Sequence, residues 1–302
     1  MCELVPFLLR EKFRLFQLKL AIIDTMKVSL RILLFIIFIL ASIFAQAQGV
    51  RGGASSRVFP LTEEEATERW SEFSRTRPAA DYCFAFTLEH KPRRGESSFY
   101  DGLIWGTAGD INQGNIRISL KNRSDSTAVN FLILGNSGNS EIYRFKDGKT
   151  EKLEKTNWLA PLMDGIIYSP FDVLMPFKTW KSTYYGPGRV ARAVHFYDLM
   201  APENFSGISK IRVALSREFN APFQTEYFDK DGDVSRVLSL GSVKKFDEKW
   251  IVKELEMFDK NSRDRDTIKI VSAKFLDKFP AGVFEVNELS KYFEAPADLK
   301  NL

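Results

Sequence analysis

Few side chains in this sequence could perform covalent chemistry, and the residues around each of them indicate a structural role. Cys83 could pair with His90 or His195 as an activated nucleophile. It lies, however, in an apolar run typical of a strand, where a lone cysteine behaves as a small buried hydrophobe. We expect His195, in the run AVHFYDL, to be a strand residue with a satisfied polar tip. Ser137 stands in Gly-Asn-Ser-Gly, one residue short of the G-x-S-x-G elbow, and this loop composition predicts a turn. We therefore predict no catalytic residue and a protein that is not an enzyme.

The acidic residues near position 230 do not match a calcium-binding loop. Asp229, Asp231 and Asp233 alternate as in an EF-hand, which needs glycine at its sixth position and glutamate at its twelfth. Here Gly232 is fourth and Leu240 is twelfth. Asp231-Gly232 is instead typical of a hairpin turn. Because the sequence also lacks the short patterns of zinc, nucleotide and dinucleotide sites, we predict neither a metal nor a cofactor.

The charge balance gives no reason to expect a nucleic-acid partner. The chain has 43 Lys and Arg against 39 Asp and Glu, a formal net charge of +4. The first 47 residues hold six of the basic and three of the acidic residues, so 37 and 36 remain after them. A nearly neutral chain without a basic stripe lacks the electrostatic footprint of a nucleic-acid-binding protein.

Residues 26–47 have the pattern of a secretory signal peptide. Lys27 and Arg31 form a basic start, an apolar run covers 32–45, and Ala45-Gln46-Ala47 is typical of a cleavage site. An uncleaved membrane anchor is the alternative, but the apolar run is shorter than the ~18 to 20 residues that a spanning helix needs. We expect cleavage near Ala47 and a periplasmic protein.

The remaining domain boundaries follow from this segment. A signal peptide seldom has a long extension before it, so we expect translation to start at Met26 and residues 1–25 to be an upstream addition. Residues 48–60, rich in Gly, Ser and Arg, predict a flexible lead-in. Residues 61–302 are then one domain, in which Cys83 is the single cysteine and cannot form an internal disulfide.

A helix is predicted at the start of this domain. Thr62 can cap it, and Glu65, three residues later, completes a capping box. Ala66, Trp70 and Phe73 recur at helical spacing and give the helix one apolar face.

The rest of the chain alternates apolar and polar residues, which predicts short antiparallel strands joined by turns such as Asp147-Gly148. The predicted strands are 81–90, 115–121, 128–134, 141–145, 190–199, 208–216, 223–228, 234–240, 250–258 and 267–275. The fold class is therefore mainly β (α+β), with one long antiparallel sheet and few helices.

One segment, residues 158–180, breaks the alternation. It is dense in large apolar side chains, and Pro161, Pro170 and Pro176 divide it into short pieces. Its position between the two runs of strands would let it cross the concave face of the sheet. Together with Met200, its Met163 and Met175 offer flexible side chains that adapt to varied apolar shapes. The sequence leaves two functions open for this insert: a plug that fills the core, or a lid over a ligand cavity.

The second half of the chain resembles the LolA/LolB-like outer-membrane lipoprotein-sorting proteins. The resemblance rests on PFDVLMPFKTW at 170–180, YGPGRVARAV at 185–194, IRVAL at 211–215, PFQTEYFDKDG at 222–232, and the strands at 250–259 and 267–270. It implies a half-open, strongly curved antiparallel sheet, a half-barrel whose concave face is covered by helices. It also implies a periplasmic carrier that shelters the acyl chains of lipoproteins or lipids and exchanges them with donor and acceptor proteins of the two membranes.

The predicted acyl-binding residues lie in the insert: Trp158, Leu162, Met163, Ile166, Ile167, Phe171, Leu174, Met175, Phe177 and Trp180. Arg189 and Arg192 are candidates for a polar rim. Tyr82, Phe84, Phe86 and Trp105 are candidates from the sheet, although alternation alone does not say which face is concave.

Two alternatives belong to other functional classes. The first is a periplasmic sensing or interaction module of the same fold, which binds lipoproteins or a partner protein without transporting them. The second is an envelope enzyme acting through Cys83 or Ser137.

Overall fold

The computed structural model describes residues 58–76, 78, 80–108, 114–135, 139–203 and 205–302, and Val58–Leu302 form one compact unit. The predicted signal peptide, the segment before it, most of the lead-in, and Ser137 lie outside the described residues.

The described residues form fourteen strands in one antiparallel sheet. The strands are β1 (Tyr82–Lys91), β2 (Ser98–Gly106), β3 (Asn115–Asn122), β4 (Ala128–Leu134), β5 (Glu141–Lys146), β6 (Lys149–Leu153), β7 (Ser182–Val190), β8 (Arg192–Met200), β9 (Lys210–Ser216), β10 (Pro222–Phe228), β11 (Val234–Phe246), β12 (Lys249–Asp259), β13 (Arg265–Phe275) and β14 (Lys300–Asn301). Their order is β6-β5-β4-β3-β2-β1-β13-β12-β11-β10-β9-β8-β7, and β14 pairs with β13. The sheet is curved and not closed, so the predicted half-barrel is confirmed.

The two end strands of the sheet differ from its interior strands. In β6, Lys149, Glu151 and Lys152 are exposed. Strand β7 carries Pro187 and a register shift between Tyr184 and Gly186 where it pairs with β8. Both features are typical of strands at a sheet edge.

The sequence predicted ten of the fourteen described strands, misplaced one turn and missed β2, β6, β7 and β14. The predicted strand 190–199 begins one turn too early, because Val190 ends β7, Ala191 has φ of 54°, and Arg192 begins β8. Strand β2 contains Asp101-Gly102, a pair typical of turns. Its Gly102 leaves space for the Phe86 ring, whose nearest atom would lie 2.1 Å from an added Cβ.

Helix α1 (Glu63–Arg75) has the predicted capping box: the Thr62 amide donates to Glu65, and the Glu65 amide donates to the Thr62 hydroxyl. Its apolar face is buried on the sheet. Trp70 contacts the Tyr197 ring at 5.2 Å, and the Tyr197 hydroxyl donates to the Ala66 carbonyl at 3.1 Å. The helix thus covers the β7–β9 end of one face.

The opposite face is covered by the C-terminal segment, residues 276–299. Here Cys83, Leu103 and Trp105 pack against Val283. The buried Arg117 guanidinium donates to the carbonyls of this segment, among them Val283 at 3.2 Å and Leu289 at 3.1 Å. Burial lowers the pKa of Arg117 to about 10. The segment is therefore fixed to the sheet by a charged clamp beside an apolar cluster.

In the described part of the chain, no helix combines the length and the apolar character needed to cross a membrane.

Candidate binding site

The insert crosses the sheet because it connects the strands at the two ends of the strand order. Residues 154–181 connect β6 to β7, which lie at opposite ends of the strand order. The insert contains a 3-10 helix (Lys155–Asn157), helix α2 (Pro170–Leu174) and a second 3-10 helix (Pro176–Thr179). Met175, with φ of 47°, ends α2, and Pro176 starts the next helix. As predicted from the sequence, prolines divide the insert into short helical pieces.

A buried carboxylate on β13 holds the backbone of the insert. The Asp266 side chain accepts hydrogen bonds from the amides of Ile167, at 2.6 Å, and Tyr168, at 3.2 Å. Its other oxygen lies 2.7 Å from His90 Nδ1 on β1. Burial raises the pKa of Asp266, while these hydrogen bonds oppose that rise.

A second polar contact lies on β11. Arg236 Nη1 lies 3.7 Å from an Asp172 oxygen and 3.4 Å from the Ile167 carbonyl. The same Asp172 oxygen accepts from the amide and hydroxyl of Ser169, at 2.8 and 2.6 Å. The insert is consequently joined to the sheet by two carboxylates and one guanidinium as well as by apolar packing.

Most of the predicted acyl-binding side chains belong to the core between the insert and the sheet. Seven of the ten are buried, among them Phe171, which is 0% exposed, and Phe177, which is 1% exposed. Ile167, Met175 and Trp180 are partly buried and pack against the same cluster. Filling the core is therefore one role of the insert.

An open cleft remains beside the insert, with a volume of about 550 Å³. Three of the predicted residues line it: Trp158, Leu174 and Trp180. The remaining lining residues are Ser140, Lys155, Pro176, Thr179, Lys181, Met200, Pro202 and Phe205. The insert thus leaves space at its outer side while it fills the core at its inner side.

Phe205 is the main lining residue that sequence analysis missed. It lies in the loop between β8 and β9, and its ring centre is 5.5 Å from that of Trp180 and 5.1 Å from that of Phe171. An aromatic residue between polar neighbours in a loop is a weak signal. Its role depends on how that loop folds over the insert.

The other predicted positions lie away from this cleft. Arg189 and Arg192 are exposed at the β7–β8 turn and are not among the lining residues. Phe86 joins the core under the insert, and Phe84 packs near Phe275 at the strand end. Trp105 faces the C-terminal segment, on the opposite side of the sheet.

The residues considered for covalent chemistry are separated. Cys83 is fully buried on the face away from the insert, and burial raises its pKa to about 12. His195 Nδ1 lies 3.0 Å from the Tyr184 hydroxyl, and burial lowers the pKa of His195. In the part of the chain that the structure describes, no group of three or more His, Cys, Asp and Glu side chains could hold a metal ion.

Comparisons with known proteins identify the fold that this architecture resembles. A family profile described only as "Uncharacterized protein" matches residues 187–291. No curated protein matches the sequence.

Three solved structures are similar over about three quarters of the chain. An outer membrane lipoprotein-sorting protein domain from Vibrio parahaemolyticus has 16% identity and a TM-score of 0.65, covering 76% of this chain and 97% of its own. A DUF1329 family protein from Desulfovibrio piger has 11% identity and a TM-score of 0.64, covering 75% and 98%. A LolA superfamily protein from Nitrosomonas europaea has 12% identity and a TM-score of 0.57, covering 74% and 97%. The open sheet with its crossing insert is therefore a LolA-like fold.

Proposed function

We propose that this protein is a non-enzymatic periplasmic carrier that binds acyl chains of lipoproteins or lipids and delivers them toward the outer membrane. The observation that supports it most directly is the cleft of about 550 Å³ lined by Trp158, Trp180 and Phe205. This volume lies within the range of about 300 to 1,000 Å³ typical of small-molecule sites.

The energetics of the cleft suit a carrier. Moving an acyl chain out of water gains about 0.8 kcal/mol for each buried CH₂. An open cleft leaves one side of a bound chain facing water, so the ligand is held and can still be released. The insert supplies one wall and the β8–β9 loop the other, and movement between them would change the width of the cleft.

A direct binding experiment tests the proposal. We expect the purified protein to bind a fluorescent analogue of a 16-carbon fatty acid, with a rise in probe emission as the fluorophore leaves water. Leu174→Asp places a charge in the cleft and should abolish binding. Met200→Asp should weaken it by tenfold or more, and because Met200 is 62% exposed this variant should fold normally.

The matched control is Tyr292→Asp, which adds the same charge at a residue that is 69% exposed and does not line the cleft. It should bind the probe as the wild type does. Absence of probe binding by folded wild-type protein, or equal binding by Met200→Asp and the wild type, would contradict the proposal.

Export is part of this proposal and has its own test. Mass spectrometry of the protein from a bacterial host should show a mature chain that begins near Gln48 and a periplasmic location. A chain that keeps residues 26–47 and remains in the membrane would support the anchor instead.

A further inference from the structure

We propose that the cleft takes a single-chain amphiphile with an anionic head group, such as a long-chain carboxylate or a phosphomonoester lipid, held by Lys155 and Lys181. This inference rests on the proposed function and narrows its ligand class. It follows from three features of the cleft: its charge, the arrangement of its rings and its size.

The described residues that line the cleft carry charge of one sign. Lys155 and Lys181 are among them, and none of the described lining residues is Asp or Glu. Both lysines stand at the ends of the insert, one at its first helical turn and one directly before β7. Among the salt bridges of the described residues, none involves either lysine. The cleft therefore has two positive groups available to an anion.

The apolar and charged parts of the cleft are adjacent, as an amphiphile requires. Lys155 Nζ lies 5.9 Å from the centre of the Trp158 ring, and Lys181 follows Trp180 in the chain. The two tryptophans meet the Phe205 ring at 6.4 and 5.5 Å. A chain lying against these three rings would carry its head group to the lysines.

The volume of the cleft matches one chain. A water molecule takes about 30 Å³ of the liquid, and a methylene group is of similar size, so the cleft holds roughly 18 such groups. This is the size of one 16-carbon chain with its head group. A lipid with two such chains would need about twice this space.

Competition binding below the micelle concentration tests the inference. Palmitate, palmitoyl-lysophosphatidic acid, monopalmitoylglycerol and dipalmitoyl-phosphatidic acid would each displace the fluorescent probe. We expect both single-chain anions to bind about tenfold more tightly than the neutral monoacylglycerol, about 1.4 kcal/mol. The preference should shrink as salt is raised, because screening weakens the contact. The two-chain lipid should bind at least tenfold more weakly than its one-chain counterpart.

A charge-matched pair of variants separates the cleft lysines from net charge. Lys155→Gln with Lys181→Gln should remove the preference for anions, so that palmitate and monopalmitoylglycerol displace the probe from this variant with similar affinities. Lys91→Gln with Lys149→Gln removes the same charge at exposed strand positions outside the cleft and should keep the preference.

The outcomes distinguish this inference from the proposed function. Equal binding of anionic and neutral single-chain lipids, or equal loss of preference in both double variants, would overturn the anionic assignment while acyl binding stands. Equal binding of one-chain and two-chain lipids would overturn the single-chain assignment. Failure of every amphiphile to bind would overturn the proposed function and this inference with it. Preference for only one of the two anions would support the inference and identify the source of the anion as a carboxylate or a phosphate.

Discussion

Replacing Asp266 should release the insert from the sheet. Its carboxylate is fully buried and accepts the amides of Ile167 and Tyr168, while its second oxygen contacts His90. In Asp266→Ala both insert amides lose their acceptor in an environment that excludes water. His90 is less affected, because its side chain is 13% exposed and can reach solvent.

The magnitude follows from these contacts. Leaving a buried donor without its acceptor costs about 1 to 3 kcal/mol, so the two insert amides together predict about 2 to 6 kcal/mol for Asp266→Ala. Asp266→Asn keeps one oxygen that can accept the two insert amides and should cost about 1 to 2 kcal/mol. His90→Gln removes only the outer partner and should cost about 1 kcal/mol. The expected destabilisation is therefore largest for Asp266→Ala, smaller for Asp266→Asn and smallest for His90→Gln.

Urea unfolding monitored by tryptophan fluorescence measures the free energies, and hydrogen exchange locates the change. The amides of Ile167 and Tyr168 should lose protection in Asp266→Ala. The amides of β3 and β4 should lose protection only by an amount that matches the fall in the global free energy of unfolding. A loss below 0.5 kcal/mol, or unchanged protection at both insert amides, would refute the reasoning.

Three further predictions concern groups outside the cleft. Arg117→Met should lower the free energy of unfolding by about 2 to 3 kcal/mol and expose residues 283–291 to protease, because their carbonyls lose a charged donor. Unchanged cleavage would argue against this contact. Cys83 should resist a thiol reagent at neutral pH until urea unfolds the chain, and rapid labelling of native protein would be inconsistent with its burial. Because its pKa of about 12 in the folded state exceeds the reference value of 9.0, its ionisation should favour unfolding as pH rises from 9 toward 12. Burial lowers the pKa of His195, so the unfolded chain binds the proton first as pH falls, and the free energy of unfolding should decrease below pH 6.5. In urea titrations at several pH values, His195→Gln should reduce this dependence of the free energy of unfolding on pH. An unaltered dependence would exclude His195 as its source.

Local patterns predicted much of the fold. The capping box at Thr62 and Glu65 and the positions of β3, β4 and β9 depend on residues close in sequence, and the structure confirms them. The Val190–Arg192 turn was missed because Ala191 is not a residue type typical of a left-handed conformation. Strand β2 was missed because Asp101-Gly102 is typical of turns. The reason for Gly102, which is the space that the Phe86 ring needs, depends on a residue in another strand.

The cleft was harder to predict than the sheet. Apolar composition identified Trp158, Leu174 and Trp180, but it did not separate them from neighbours such as Phe171, which is buried in the core. The β8–β9 loop contributes Phe205 only after the strands have assembled. The contribution of Lys181 likewise depends on the path of the insert, not on a local pattern.

The end strands have a consequence for solution behaviour. A sheet of this length that does not close offers two rows of unpaired backbone groups, to which a strand from a neighbouring molecule could add. Pairing of β6 with the β6 strand of a second molecule would bring charged side chains together and remove them from water, which is unfavourable. Pro187 removes a backbone donor from β7, near the register shift of that strand. Both features oppose the addition of a further strand at the two ends of the sheet.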